Sequence, residues 1–408
     1  MADIVLFEDD HVADMWPITL TRPAFGVTCG IYDLYEVARL ACGDVAYVVR
    51  DYLSDVAQCA YDRAEPGDGP VLFVNASVAP DTRYAERFRS MLQQAQPCIC
   101  TAGERVAAAL VPAGTDLPAL SAGKVSGFLL ELGLPVADED PFRTFDYPFH
   151  VIGALEDLLA VNLEHKIAGD GYTELQPGVY AGENVQVSDT AVFHADDGPV
   201  VLDDGVRVLD FTFFEGPVYV GPNSRIIERS SVKDCASIGH TCKIGGEVEA
   251  SVIEDYSNKQ HHGFLGHAYV GSWVNLGAGT SNSDLKNTYG EVRIRHRGRR
   301  VETGMQFLGC VIGDYSKSAI NTSIFTGKTI GVSSMLYGCV GQNVPSFCNF
   351  AKTFGQITQM TVEQAIITQK RMFVRRDVEQ TEEDIALLEE VFELTRAERE
   401  LSEEPPVF

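Results

Sequence analysis

Positive charge is what this 408-residue sequence has least of: 32 Lys and Arg stand against 58 Asp and Glu, a net charge of −26. That balance argues against nucleic acid and anionic membrane surfaces as partners, because phosphate contacts need clustered cations. It also makes any local basic cluster informative. No stretch has the apolar length of a membrane span. The start, MADIVLFEDD, carries acids where a signal peptide carries its positive region, which gives the expectation of a cytoplasmic protein. The ten cysteines contain no Cys-x-x-Cys pair, so they read as reduced, buried small hydrophobes and not as a zinc site or a disulfide framework.

What is present is enough apolar sequence, 45%, for packed cores, and a length that implies two or three domains. Up to about residue 170, apolar runs such as IVLF (4–7), VAYVV (45–49) and PVLFVNA (70–76) alternate with amphipathic ones such as IYDLYEVARLA (31–41) and RYAERFRSMLQQ (83–94). This predicts an α/β domain with a largely parallel sheet. The Ala-, Gly- and Pro-rich stretch 101–124 is expected to leave the regular pattern.

From 177 to 352 the period becomes six. Val220, Ile226, Val232, Ile238 and Ile244 keep it without exception; Phe264, Val270 and Leu276 repeat it, as do Ile324, Ile330 and Leu336. Neither a helix nor a flat strand holds period six on one face, whereas stacked β-helix coils do. The step from Tyr256 to Phe264 is eight, and the pattern stops for 281–304. From 355 to 408 the chain reads as a helical tail, with Thr381 and Asp384 as a capping pair.

The hexads, the segment GSWVNLGAGTSNSDLKN (271–287) and the preceding His-x-x-Phe-Leu-Gly resemble the left-handed parallel β-helix acetyltransferase half of the GlmU-like bifunctional enzymes that make UDP-N-acetylglucosamine. The α/β half resembles their nucleotidyltransferase half, most closely the divergent group whose chains open with FED and then Pro-(Ile/Leu)-Thr-x-Thr-Arg-Pro. The resemblance implies an acyl- and nucleotidyltransferase that uses acetyl-CoA, a sugar phosphate and UTP, with Mg²⁺ at the nucleotide site. It places the catalytic histidine at His261 and a partner at Asn275, with Lys259, His262 and Phe264 around the substrate. The family more often has tyrosine where Phe264 stands. It also implies a homotrimer with shared sites.

A histidine base suits removal of a proton from an ammonium near neutral pH. Backbone N–H groups of Gly277 to Thr280 are expected to meet the oxyanion. The run RIRHRGRR (293–300) reads either as a solvated loop or as a phosphate site in which Arg295, Arg297 and Arg299, helped by Lys286, hold coenzyme A or the sugar phosphate. In the first half the family's glycine-rich loop is replaced by FEDDHVADMWPIT, so Glu8, Asp9, Arg22 and Asn75 are the nucleotide-site candidates, with Asp9 and Asp10 as Mg²⁺ ligands. The family's metal-holding aspartate falls on Ser77. Three other readings stay open. They are a nucleotidyltransferase alone, a nucleotide-sugar-binding scaffold, and a zinc hydratase of the gamma-carbonic-anhydrase kind built from His240, His262 and His267.

Overall fold

The computed structural model describes residues 2–137, 142–169 and 171–400, so the last eight residues of the expected tail lie outside the described ones. The chain forms two compact units that divide after Tyr147. The division falls before the expected boundary near 170. Pro148–Ala168 is a 21-residue helix whose Leu155, Leu158 and Leu159 are buried, and it contacts the coil strand Tyr269–Val270, which puts it in the second unit.

In the first unit β1 (Ile4–Phe7) is parallel to both β2 (Val45–Val48) and β3 (Val71–Asn75). With β4 (Cys98–Ala102) and β5 (Arg105–Val111) the sheet order is β2-β1-β3-β5-β4, β5 running antiparallel to β3 and β4. The strand β5 lies within the stretch expected to be irregular. All seven of its residues are buried, so it shows none of the alternation of a half-buried strand, and its three consecutive alanines carry little strand preference. The helix Leu34–Cys42 starts on a capping box between Asp33 and Glu36, and the helix Arg83–Gln94 spans the predicted residues. Because β1 and β3 are parallel, their carboxyl ends bring Glu8 and Asp9 beside Asn75, where ligands of such sheets bind.

The second unit is a parallel β-helix, as expected from the hexads. Its coils are three-sided: Val200 pairs with Val218 and Val218 with Ala236, so three six-residue sides make one turn. Val220, Ile226, Val232, Ile238 and Ile244 all point inward and are fully buried. The first side includes Val218–Val220, Ala236–Ile238 and Val252–Ile253; the second Arg207–Val208, Arg225–Ile226, Lys243–Ile244, Asn258–Lys259 and Asn275–Leu276; the third Ser231–Lys233, Glu247–Glu249 and Phe264–Gly266. Corners are tight. A Cβ on Gly245 would lie 2.0 Å from the Gln260 carbonyl oxygen of the next coil.

The expected eight-residue step does not exist. Lys259 aligns with Ile244 in the inward place, and Leu265, not Phe264, aligns with Val248. A lysine inside the coil hides the hexad from a reading by hydrophobicity. Only the second interruption is a true excursion: it leaves the coil after Asp284, forms an antiparallel hairpin of Arg293–His296 and Arg299–Glu302, and returns at Leu308.

Gln356–Gln359 pairs antiparallel with Cys348–Ala351 and closes the last coil, followed by the helices Val362–Val374 and Glu382–Leu394. Thr381 and Asp384 make the expected capping box. Phe373 of the first helix packs on Trp273, ring centroids 4.4 Å apart, and Trp273 in turn stacks on Tyr256.

Candidate active site

At the carboxyl edge of β1 the acids expected to face a nucleotide are already paired. Glu8 is fully buried; one carboxylate oxygen accepts from Ala24 N and Arg50 Nη2, the other from Arg50 N and Nε, at 2.8–3.0 Å. Asp9 caps the turn Asp10–Met15, accepting from His11 N, and takes a two-pronged bond from Arg105, Nη2 to Oδ1 at 2.8 Å and Nε to Oδ2 at 3.0 Å. The buried Asn75 donates to Asp9 Oδ2 at 2.8 Å and accepts from Ser77.

A guanidinium therefore sits where a magnesium ion on Asp9 would sit, and the Asp9–Asp10 pair does not fit that metal. Asp10 is exposed; Arg22 is half-buried, and its carbonyl accepts from Arg50. A cavity of about 380 Å³ in this unit is lined by Pro66–Gly69, Val71, Val111, Pro112 and Gly114–Leu117, at the opposite end of β3 from Asn75.

The second candidate lies on the corner between the second and third sides of the coil. His261 and His262 are both exposed there, and the His261 ring has no hydrogen-bond partner among the described residues. The turn is held from inside: Lys259, 3% exposed, donates from Nζ to the carbonyls of Gly245 (2.7 Å) and His261 (2.9 Å). Burial pulls its pKa from 10.5 down to about 8. Lys259 thus fixes the His261 turn and does not face a ligand, contrary to its expected place at the substrate.

One coil further on, Gly277–Thr280 stacks over this corner. Gly279 N donates to the His262 carbonyl at 3.0 Å, and a Cβ on Gly279 would come within 3.3 Å of His262 Nε2. The N–H groups of Gly277, Gly279 and Thr280 are all bonded within the coil, so these three are not available to an oxyanion. Asn275 pairs with Asn258 in register and is exposed on the second side. Phe264 is half-buried, its ring lying across Gly266 on the third side.

The hairpin places its basic residues by alternation. Arg293, Arg295 and Arg297 are exposed while Ile294 and His296 are buried, and Arg295 stands directly across from Arg300. Arg299 is exposed on the returning strand opposite His296, and Lys286 bonds the Glu291 carbonyl at the base of the excursion. Asn343 holds the Arg295 carbonyl at 2.6 Å, so the hairpin lies back on its own coil.

His240, His262 and His267 occupy three different corners, so one chain by itself does not bring them together as a three-histidine zinc site. His240 bonds Asp255, with Nε2 at 3.1 Å from Oδ2, and that bond raises its pKa. The pairing of His267 with Asp284 is what sequence reasoning missed; His267 entered there only as a zinc candidate. Its Nδ1 is 2.8 Å from Asp284 Oδ2, its ring stacks on Phe307, and Glu249 stands one coil below. Burial, the largest single effect, pushes the Asp284 pKa up, but the His267 hydrogen bond, the His267 charge and backbone hydrogen bonds together outweigh it, and the net shift is downward. The available signal was the 17-residue interval, one coil, between the two.

Residues 4–167 match the family model described as sugar nucleotidyl transferase. The bifunctional sugar-1-phosphate nucleotidylyltransferase/acetyltransferase of Sulfurisphaera tokodaii is 32% identical over 146 residues, 34% of this chain and 35% of the relative. Over residues 4–167 the chain is similar to sugar nucleotidyl transferases, and it is similar as well to GlmU-like bifunctional proteins. The bifunctional protein GlmU of Synechococcus elongatus is 30% identical over 132 residues, 32% of this chain and 25% of the relative. The uncharacterized acetyltransferase YaiX of Escherichia coli is 27% identical over 168 residues, 40% of this chain and 73% of the relative. The GlmU-like matches thus span about a third or less of those relatives' own length. Among solved structures, the Arabidopsis UDP-N-acetylglucosamine acyltransferase aligns over 57% of this chain and 96% of its own, at 12% identity and a TM-score of 0.30.

Proposed function

We propose that this GlmU-like chain acetylates the amino group of an amino sugar 1-phosphate from acetyl-CoA, with nucleotidyl transfer from UTP to the sugar 1-phosphate as a second activity. The observation that carries the first activity is the exposed His261 ring on a turn fixed from within by Lys259 and under the Gly277–Thr280 corner, with Asn275 exposed on the second side one coil on. Only the neutral amine attacks a thioester. His261 takes the ammonium proton, the amine nitrogen bonds the thioester carbonyl carbon, and the coenzyme A sulfur leaves with its electron pair, to be protonated in turn. Asn275 orients the sugar; His262 and Phe264 border it; Arg295, Arg297, Arg299 and Lys286 meet phosphate. The working assembly is a cytoplasmic homotrimer in which the coil of one copy borders the His261 corner of another.

His261→Ala should lower acetyl transfer to glucosamine 1-phosphate by about 10²- to 10⁴-fold with the fold intact. A second reading rests on one observation. Asp284 fixes the ring and tautomer of His267, as a base needs, while the His261 ring is unheld. An unchanged rate in His261→Ala, with a collapse in His267→Ala, would move the base to His267. If both variants and the wild type are inert toward acetyl-CoA, the scaffold reading replaces the enzyme.

A further inference from the structure

The outward positions of the second side form one column in strict register: Gln186, Arg207, Arg225, Lys243, Asn258, Asn275, Lys317, Met335 and Asn349. Each of the first three cations alternates with a buried core residue, Val208, Ile226 or Ile244, so their side chains point out of the coil. No carboxylate occupies the column, in a chain with 58 acids. Arg207, Arg225 and Lys243 stand on consecutive coils, about 4.8 Å apart per rung, where stacked like charges repel. None of the three has an ion-pair or hydrogen-bond partner for its side chain among the described residues.

The tail adds to the repulsion instead of relieving it. Arg376 Nη2 donates to Asn258 Oδ1 at 2.7 Å, which brings the end of the helix Val362–Val374 over the column directly above Lys243. Burial first, then the charges of Arg376, Arg225 and Arg375, pull the Lys243 pKa down, and no carboxylate offsets them. Acidic residues were available for this face: the neighbouring third side carries Glu215, Glu247 and Glu249 around its Lys233. Five cations gathered without a counter-charge in a protein of net charge −26 constitute a site that awaits an anion.

We propose that Arg207, Arg225 and Lys243, closed over by Arg375 and Arg376, bind the pyrophosphate group of a ligand laid along the coil axis, its remaining part running over Asn258 toward Asn275. Three rungs span about 10 Å, and arginine forks bind phosphate oxygens in pairs. The pyrophosphate belongs either to a nucleoside diphosphate or to coenzyme A, which share this chemistry. The proposal does not depend on acetyl transfer, because it is read by binding without turnover.

The test is calorimetric titration of the full chain with inorganic pyrophosphate, then with UDP and with coenzyme A in competition. The wild type should bind pyrophosphate, and Arg225→Gln/Lys243→Gln should weaken it at least tenfold with an unchanged melting temperature. Arg375→Gln/Arg376→Gln should weaken it severalfold. Whichever of UDP or coenzyme A displaces pyrophosphate identifies the source. Absence of binding to the wild type overturns the proposal. So does binding that survives Arg225→Gln/Lys243→Gln but is lost in Arg295→Gln/Arg299→Gln, which would put the anion on the hairpin. A changed mass by light scattering in Arg225→Gln/Lys243→Gln also overturns it, since the column would then meet the acidic surface of a second copy.

Discussion

Replacing Lys259 by methionine should make the coil more stable and acetyl transfer slower. Lys259 fills an inward hexad place aligned with Ile244, and burial lowers its pKa from 10.5 to about 8. At 1.36 kcal/mol per pKa unit, that places a penalty of about 3 kcal/mol on the charged form present at neutral pH. Methionine removes the penalty in a similar volume. The carbonyls of Gly245 and His261 each lose a donor, about 1 kcal/mol apiece. The net is a gain of about 1 kcal/mol, roughly 2–4 °C in melting temperature for a unit of this size. The pH dependence has a definite sign. Between about 8 and 10.5 the unfolded chain binds more protons at this site than the folded one, so wild-type stability rises with pH across that window. Lys317, also lowered to about 8 by burial, contributes in the same direction, so Lys259→Met should retain only part of the slope. Melting curves read by Trp273 emission at pH 7 and pH 10 check both statements. A methionine variant less stable than wild type at pH 7, or one with the full wild-type slope, would refute the buried-cation reasoning. Turnover should drop about tenfold or more, because the carbonyl of His261 is no longer held and small misplacements of a base are costly.

Asp9→Asn should destabilise the first unit by roughly 3 kcal/mol, since it leaves buried Arg105 short of its main counter-charge, while Asp10→Asn at the exposed neighbour should change stability by less than about 0.5 kcal/mol. Denaturant titration followed at Trp16 measures both; a stability that depends on magnesium in the wild type and not in Asp9→Asn would instead place a metal there. Phe373→Ala should cost about 3 kcal/mol and shift Trp273 emission to the red, because the buried ring covers that indole; unchanged emission would mean that the tail helix does not rest on the coil in solution. Charge reversal at Arg295, Arg297 and Arg299 should raise KM for acetyl-CoA or the sugar phosphate more than it lowers kcat, as loss of a contact made before the transition state does. Unchanged constants would return the hairpin to plain surface, and light scattering that finds an active monomer would remove the shared site.

The hexads from Val220 to Ile244 made the coil legible because each inward place there is aliphatic and each is fully buried. The same rule misled at residues 256–264, where a lysine takes the inward place and an outward phenylalanine precedes the true core residue Leu265. β5 was illegible for the opposite reason: burial on both faces erases alternation. In the candidate sites, the exposed positions of His261 and Asn275 follow from their register, which the sequence contains. The partners of Glu8 and Asp9 do not. Arg50 and Arg105 are 42 and 96 residues away, and only the pairing of β1 with β2 and, through β3, with β5 brings them to the same edge. The His267–Asp284 pair was within reach, one coil apart, but in the sequence His267 stands out only beside the other histidines, as a zinc candidate, and not beside its carboxylate. The cationic column was also in reach, as Arg207, Arg225 and Lys243 recur at 18-residue intervals, one full coil. A search for runs of charge misses it, since the residues are distant in sequence and adjacent only after coiling.

The chain places its scarce cations in two distinct ways, and the difference bears on which activity the fold favours. Arg50 and Arg105 are held in two-pronged pairs with the buried Glu8 and Asp9, so their charge is neutralised where it stands and attracts no phosphate. On the coil, Arg207, Arg225, Lys243 and the hairpin arginines keep their charge at the surface. Nucleotidyl transfer at the carboxyl edge of β1 would require Asp9 to exchange Arg105 for a metal ion, and breaking a buried pair of this kind costs about 3–5 kcal/mol. A cost of that size corresponds to about 10²- to 10⁴-fold in an equilibrium or rate constant. The proposed acetyl transfer on the coil carries no such cost, whereas the proposed nucleotidyl transfer at β1 requires nucleotide binding itself to supply that free energy.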